Sequence, residues 1–486
     1  MKYYIKLACI FAFCVLNAQC QSTNDTAKKS GVNKEKSKPN FIVIYTDDHG
    51  YSDLSIQGIK KDVKTPNIDN LARNGVRMES GYSTAPQCVP SRGGILTGRF
   101  QSRFGLELNG DSLEGFDAET TIADRLKSAG YATGMAGKWH LGPGNQITKH
   151  GFDHVFYKNS AQLGVANFNF EGKSIPLAAG TTKMYHLDAC SKAATTFIEM
   201  HKDKPFFFYL AYRAPHVPLD ATQKYLDRFP GKMPERRRQA LAMLSAVDDG
   251  VGEIMKTLDE NNLTDNTVIF IIGDNGAPLK ITKEDKPGGG PGWDGSLNDP
   301  LNGEKGTLIE GGIRTPFVVY WKDKLVKGIY KHPVSSMDFA ATAVELAGLS
   351  TDDKLDGVNL IPFLNGEKLG APHDKLCWRW GGQSAIRKGE WKFLKGDDRE
   401  YLFNLDQDIE EKNDLLSKHP EIASQLKKEL LVWSKGLTPE GFSKGNMSKN
   451  ANNYFDFYLD GITNKKVNMK TSSGKKNKKN KKKKGN

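Results

Sequence analysis

Long hydrophobic runs are scarce in this chain of 486 residues. The apolar stretch at 7–16 is well short of the roughly 20 residues that a membrane-spanning helix needs, so no membrane span is expected. Cysteine is sparse as well. Of six cysteines, Cys9, Cys14 and Cys20 fall near the start, which leaves Cys88, Cys190 and Cys377 for the body of the chain. Three cysteines exclude a disulfide framework. If Cys88 is chemically committed elsewhere, Cys190 and Cys377 remain as one pair or as two buried thiols. Acidic residues are missing from 464–486, which carries eleven lysines. Those lysines, two more in 1–18 and a net +3 over 19–39 exceed the formal +12, so residues 40–463 stand at −4. A mildly acidic body has no footprint for nucleic acid, and no such partner is expected. No internal repeat is present.

The chain opens on an export signal. Lys2 and Lys6 precede the apolar run, and polar, lysine-rich sequence follows it. Cleavage after Ala18 would send a chain beginning at Gln19 to the periplasm or the medium. Lipidation of Cys20, as in bacterial lipoproteins, is the alternative, although Gln19 is a poor residue before a lipidated cysteine. The expected divisions are a signal peptide at 1–18, a disordered linker at 19–38, a large domain at 39–371, a subdomain at 372–460 and a disordered lysine-rich tail at 461–486.

Within 39–371, nearly continuous apolar runs at 40–45, 206–211 and 267–272 read as strands covered on both faces. Further strands are expected at 132–136 and 317–321. Helices are expected at 68–74, 121–129 and 236–261, with Pro66 and Gly130 as start and stop signals. Strands alternating with helices imply an α/β fold with a large, mostly parallel mixed sheet between helices. Ligands of such sheets sit beyond the carboxyl ends of the strands. After about 372 the texture changes to short strands with glycine and charged turns, then an amphipathic helix at 421–433. That is the pattern of a small antiparallel α+β subdomain.

The residues with chemistry follow the strands. Asp47-Asp48 closes the first, and Asp274-Asn275 follows the run at 267–272. Three carboxylates and an amide oxygen make a hard ligand set for Ca²⁺ or Mg²⁺, although either pair alone reads as a turn or a cap. Lys138-Trp139-His140 follows the strand at 132–136. His216 lies between Pro215 and Pro218, which hold it rigidly enough for a positioned acid or base. Lys305 sits in Gly303-Glu304-Lys305-Gly306-Thr307. Standing alone, these would be surface lysines and hydrogen-bonded core histidines.

One stretch changes that reading. Cys88-Val89-Pro90-Ser91-Arg92, followed by Gly93-Gly94-Ile95-Leu96-Thr97-Gly98-Arg99, resembles the maturation signature of the formylglycine-dependent sulfatases, arylsulfatase-like members of the alkaline phosphatase superfamily. The other motifs resemble that family in order and spacing, from about Asn40 to Pro316. The resemblance implies that a maturation enzyme converts Cys88 to formylglycine (3-oxoalanine), whose hydrate attacks sulfur. It implies a divalent metal, mostly calcium in the family, on Asp47, Asp48, Asp274, Asn275 and the modified Cys88. Arg92 and Lys138 would hold the formylglycine oxygens. His216 and Lys305 would contact the sulfate and assist the leaving oxygen, Asp274 would take the proton of the attacking hydroxyl, and His140 would receive a proton as sulfate is expelled. None of the expected positions is substituted. An exported enzyme of this kind fits a sulfated carbohydrate substrate, with Trp293, Trp378 and Trp380 as sugar-stacking surfaces or as ordinary packing. Two rivals are a phosphodiesterase or phosphonate monoester hydrolase of the same superfamily, and a non-catalytic protein that binds sulfated glycan.

Overall fold

The run at 40–45 becomes the strand Asn40–Asp47, buried along its whole length in the computed structural model. The structure describes residues 38–157, 167–170, 173–176, 184–280, 293–350, 354–442 and 446–462. The expected export signal, and most of the expected linker and lysine-rich tail, fall outside these residues. Alternation sends the side chains of Asn40–Asp47 to two cores. Ile42 and Ile44 join Phe206, Phe208 and Leu210 against the helices His186–Met200 and Glu235–Glu260. Phe41, Val43 and Tyr45 join Phe207, Tyr209 and Phe270 against the helices Cys88–Thr97 and Asp338–Leu346. Helices therefore cover both faces, as the uninterrupted apolar runs require.

Among the described residues the main sheet has ten strands. Across it lie Gly328–Tyr330, Val76–Met78, Phe317–Tyr320, Thr267–Gly273, Asn40–Asp47, Phe206–Pro215, Ala132–Gly137, His154–Tyr157, Asn167–Phe170 and Lys173–Pro176. The centre is parallel: Asn40–Asp47 pairs with Phe206–Pro215 on one side and Thr267–Gly273 on the other, and Ala132–Gly137 continues the run. Phe317–Tyr320 is antiparallel to both its neighbours, and the far edge turns back on itself. A separate four-stranded antiparallel sheet holds Leu376–Trp380, Gln383–Lys388, Trp391–Gly396 and Arg399–Asn404. The helix Pro420–Ser434 packs on it through Ala423, Leu426 and Leu430.

The expected start signal acts as read, while Gly130, with φ of 88°, lies one residue past the cap Ala129 of the helix it is expected to end. Pro66 opens the helix Pro66–Asn74. Thr121 and Asp124 form a reciprocal capping box for Ile122–Ser128. Several helices escape sequence reading, among them His186–Met200, Asp338–Leu346, Cys88–Thr97 and Lys449–Tyr458. Cys88–Thr97 contains Pro90, Gly93 and Gly94, all poor helix formers. Pro90 is tolerated because it lies in the first turn, where the backbone donors have no partner. Gly94 is needed because a Cβ there would lie 2.2 Å from Thr84 Oγ1. Lys449–Tyr458 is rich in asparagine, yet Ser448 caps it and Ala451 and Phe455 bury one stripe against the small sheet. Cys190 is buried in the helix His186–Met200 and Cys377 in the strand Leu376–Trp380, with no disulfide between them among the described residues.

Candidate active site

Four adjacent parallel strands end at one place. Thr267–Gly273 leads to Asp274 and Asn275, Asn40–Asp47 to Asp47 and Asp48, Phe206–Pro215 to His216, and Ala132–Gly137 to Lys138. The helix Cys88–Thr97 begins over this edge, with Cys88 first and Arg92 one turn on. Lys305 comes from a loop on the far side. Asp47, Asp48, Asp274, Asn275, Cys88, Arg92 and Lys138 are all buried.

Cys88 Sγ lies 3.2 Å from Asp47 Oδ1 and 3.8 Å from Asp48 Oδ1, and Lys305 Nζ reaches it at 3.1 Å. Lys138 Nζ donates to Asp47 Oδ2 at 2.6 Å, and Lys305 Nζ to Asp48 Oδ1 at 2.6 Å. Arg92 donates to Asp274 Oδ2 and to the Lys138 carbonyl, both at 2.8 Å, and its guanidinium lies 5.4 Å from the Tyr45 ring. His216 Nε2 lies 3.5 Å from Asp48 Oδ2.

Burial works against ionisation of Asp47, but Lys138 and the other cations outweigh it and hold the carboxyl well below the usual range. Asp48 is likewise lowered, by Lys305 first among its cations, against the penalty of burial. Asp274 goes the other way: burial and then the Asp47 charge push it up to about 6. Burial, with Asp274 and Asp47, pushes the Cys88 thiol well above its usual range. An unmodified Cys88 is thus a protonated thiol and a poor nucleophile.

Among the described residues, two buried oxygens here accept no hydrogen bond, Asp48 Oδ2 and Asn275 Oδ1. Asn275 turns its nitrogen to Asp48 Oδ1 at 2.7 Å, which leaves the amide oxygen without a donor. Donor atoms of Asp47, Asp48, Cys88 and His216 lie within 4.8 Å of one another. Orphaned oxygens, crowded carboxylates and an oxygen-rich set fit a hard divalent cation.

His140 stands apart. It is half-buried, with φ of 64°, and among the described residues its Nδ1 has no hydrogen-bond partner. Burial, then Lys138 and Arg92, lower it to about 3, so its ring is neutral at ordinary pH. The three tryptophans are not sugar platforms. Trp293 and Trp378 are 6% and 2% exposed and donate to the carbonyls of Ser296 and Ser83, while Trp380 is 8% exposed and packs in the core of the small sheet.

Sequence reading missed the supports of the Asp47-Asp48 turn. Asp53 Oδ2 accepts from Arg237, Ser296 and the Leu297 backbone, and Ser296 Oγ also accepts from the Gly50 backbone. This network fixes the segment that leaves Asp48, whose φ is 58°. Arg237 and Ser296 are remote in sequence and carry no motif, so no local signal marks them.

Comparison with known proteins agrees with this arrangement. A family model described as sulfatase matches residues 39–349. The sulfatase YdeN of Escherichia coli (strain K12) is 33% identical over 402 residues, 71% of this chain and 69% of that protein. The N-acetylgalactosamine-6-O-sulfatase of Bacteroides thetaiotaomicron is 30% identical over 495 residues, 82% of this chain and 93% of that one. Among solved structures, Ps i-CgsB superposes with a TM-score of 0.73 at 30% identity, over 87% of this chain and 97% of its own. It has also been solved in complex with k-i-k-neocarrahexaose. The α/β sheet with its acid- and cation-lined edge fits a hydrolase of the alkaline phosphatase superfamily. The chain belongs to the sulfatase family, the hydrolases of sulfate esters.

Proposed function

We propose that this protein is an exported sulfatase that removes sulfate from a sulfated polysaccharide or its oligosaccharides, using a formylglycine made from Cys88 and a divalent cation. The observation that carries the reading is the convergence of three carboxylates, three cations and Cys88 at the ends of four adjacent strands. Burial and the neighbouring carboxylates keep the unmodified thiol protonated, which argues against Cys88 itself as the nucleophile. Carbohydrate as the substrate class is supported by the relatives that act on N-acetylgalactosamine sulfate or bind a neocarrahexaose. Export rests on the reading of residues 1–18, and a formylglycine-generating enzyme would be an obligatory partner in maturation.

Asp47, Asp48, Asp274 and Asn275 would hold the cation, Ca²⁺ or Mg²⁺, together with position 88. The cation would supply positive charge to a sulfate oxygen, and matured position 88 would supply a hydroxyl nucleophile. The remaining work falls to other residues. Arg92, fixed by Asp274 and the Lys138 carbonyl, orients the group at position 88. Asp274, held by Arg92, accepts the proton of the attacking hydroxyl. Lys305 and His216 flank Asp48 on the open side and donate to sulfate and to the departing oxygen. His140, neutral at working pH, accepts a proton as sulfate leaves.

The test is sulfate release, measured by ion chromatography, from sulfated galactans, fucans and glycosaminoglycans. It compares protein co-expressed with a maturation enzyme with its Cys88→Ala variant. Release that depends on Cys88 is expected. Turnover of phosphate diesters or phosphonate monoesters in preference to sulfate esters would overturn the reading, as would sulfate release that survives Cys88→Ala.

A further inference from the structure

Lys305 is the one proposed catalytic cation carried by neither a strand end nor a helix. Its loop turns at Gly303 and Gly306, with φ of 87° and 89°, in the left-handed region that suits glycine. Something must hold so irregular a segment if Lys305 Nζ is to stay on Asp48 and Cys88. The α/β body supplies part of the grip. The backbone N–H of Lys305 donates to the Ala277 carbonyl at 3.3 Å and that of Gly306 to the Pro86 carbonyl at 3.0 Å.

The rest comes from the C-terminal part of the chain. Gln383, fully buried at the start of Gln383–Lys388, makes two bonds to the loop. Its Oε1 accepts from the Leu308 backbone at 2.8 Å, and its Nε2 donates to the Gly306 carbonyl at 3.2 Å. One primary amide thus serves the loop as a neighbouring strand would, with an acceptor and a donor side by side. A Cβ on Gly306 would lie 3.5 Å from the Trp380 ring. On the other flank, Tyr458 in the helix Lys449–Tyr458 donates its hydroxyl to Glu304 Oε1 at 3.2 Å, and its carbonyl accepts from Asn302 Nδ2 at 2.8 Å. The second oxygen of Glu304 accepts from the Lys280 backbone at 2.5 Å. Both chain neighbours of Lys305 are therefore held from outside the α/β body.

We propose that Gln383 and Tyr458 are positioning residues: the C-terminal sheet and its last helix clamp the loop that sets Lys305 against position 88. The clamp rests on the sulfatase reading for its kinetic consequence, but not for its geometry. Gln383→Met removes both bonds at nearly constant length. Tyr458→Phe removes one hydroxyl, and Gln383→Glu keeps the acceptor for Leu308 while losing the donor to Gly306.

The first readout is competitive amine labelling with acetic anhydride followed by mass spectrometry, with Lys256, which is 75% exposed, as internal reference. Lys305 should be slow in the wild-type protein and about tenfold faster in Gln383→Met, as a released ammonium becomes accessible. The second readout is kinetic. On any sulfated probe that the matured wild type turns over, kcat should fall about 10- to 100-fold with KM changed less than about threefold, since misplacement acts on the transition state. Gln383→Glu should fall between the two.

Unchanged Lys305 labelling in a folded Gln383→Met protein would overturn the clamp. So would faster labelling with unchanged kcat. If that variant does not fold, Tyr458→Phe decides the matter by the same two readouts. If the matured wild type releases sulfate from no probe, the sulfatase reading fails while the labelling result still judges the clamp.

Discussion

At the scale of single residues the site is a balance of buried charge. Asp47, Asp48 and Asp274 are offset by Arg92, Lys138 and Lys305, and two oxygens remain without donors among the described residues. Lys305→Met should lower kcat by about 10²–10³, the usual effect of losing one donor to developing charge. Steady-state kinetics checks this, and an unchanged kcat would remove Lys305 from the chemistry. Cation binding gives a readout independent of activity. Ca²⁺ or Mg²⁺ at about 100 times its Kd should stabilise the protein by about 2.7 kcal/mol, seen as a rise in unfolding midpoint over the chelated protein. Asn275→Leu should lose most of that rise, and an equal rise in wild type and variant would exclude Asn275 as a ligand. Asp47, Asp48, Lys138, His216, Asp274 and Asn275 were legible because each sits at or just past the end of a recognisable strand, whereas Cys88, Arg92 and Lys305 were legible only from their local motifs. The choice between sugar surface and ordinary packing stayed open for the tryptophans, because sequence shows an aromatic ring but not which way it faces; burial decides for packing.

At the scale of elements, the strands were legible because a strand buried on both faces must be apolar throughout, and 40–45, 206–211 and 267–272 are. The helix Cys88–Thr97 was not, because tertiary packing rather than propensity makes it. Its glycines admit Thr84 and Leu106 at close range, which a single sequence cannot reveal. The Lys305 loop is the other element that depends on glycine. A Cβ on Gly303 would lie 2.6 Å from Ile309 Cβ, at a φ of 87°. Gly303→Ala should therefore cost about 1–3 kcal/mol of stability. It should also lower kcat by moving Lys305. Denaturant unfolding and kinetics on the same preparation check both, and a variant as stable and active as the wild type would contradict this account of the turn.

At the scale of the whole molecule, the two sheets are joined by buried ions that sequence gave no hint of, since the partners lie far apart in the chain. Lys392, on the small sheet, sits 2.9 Å from Glu310 and 2.8 Å from Glu411, all three buried. Against the penalty of burial, Lys392 and then Arg314 hold Glu310 at about 2. Burial and then the Glu310 charge push Glu411 up to about 7 in spite of Lys392. Between the ordinary 4.5 and about 7, the folded protein therefore binds more protons at Glu411 than the unfolded chain does, and its contribution to stability falls as pH rises. Glu310 acts oppositely, adding stability as pH rises from about 2 to 4.5. Glu411→Gln should make stability fall less steeply with pH between 4.5 and about 7 than it does in the wild type. Unfolding midpoints across that range check this, and parallel curves for wild type and variant would contradict it.

The central claim is that Cys88 is a precursor rather than a working thiol. Mass spectrometry of the tryptic peptide covering residues 78–92, from protein made with a competent maturation enzyme, tests it most directly. The account predicts a peptide lighter by the difference between thiol and aldehyde, which reacts with a hydrazide. An unmodified, alkylatable thiol at Cys88 under those conditions would contradict it.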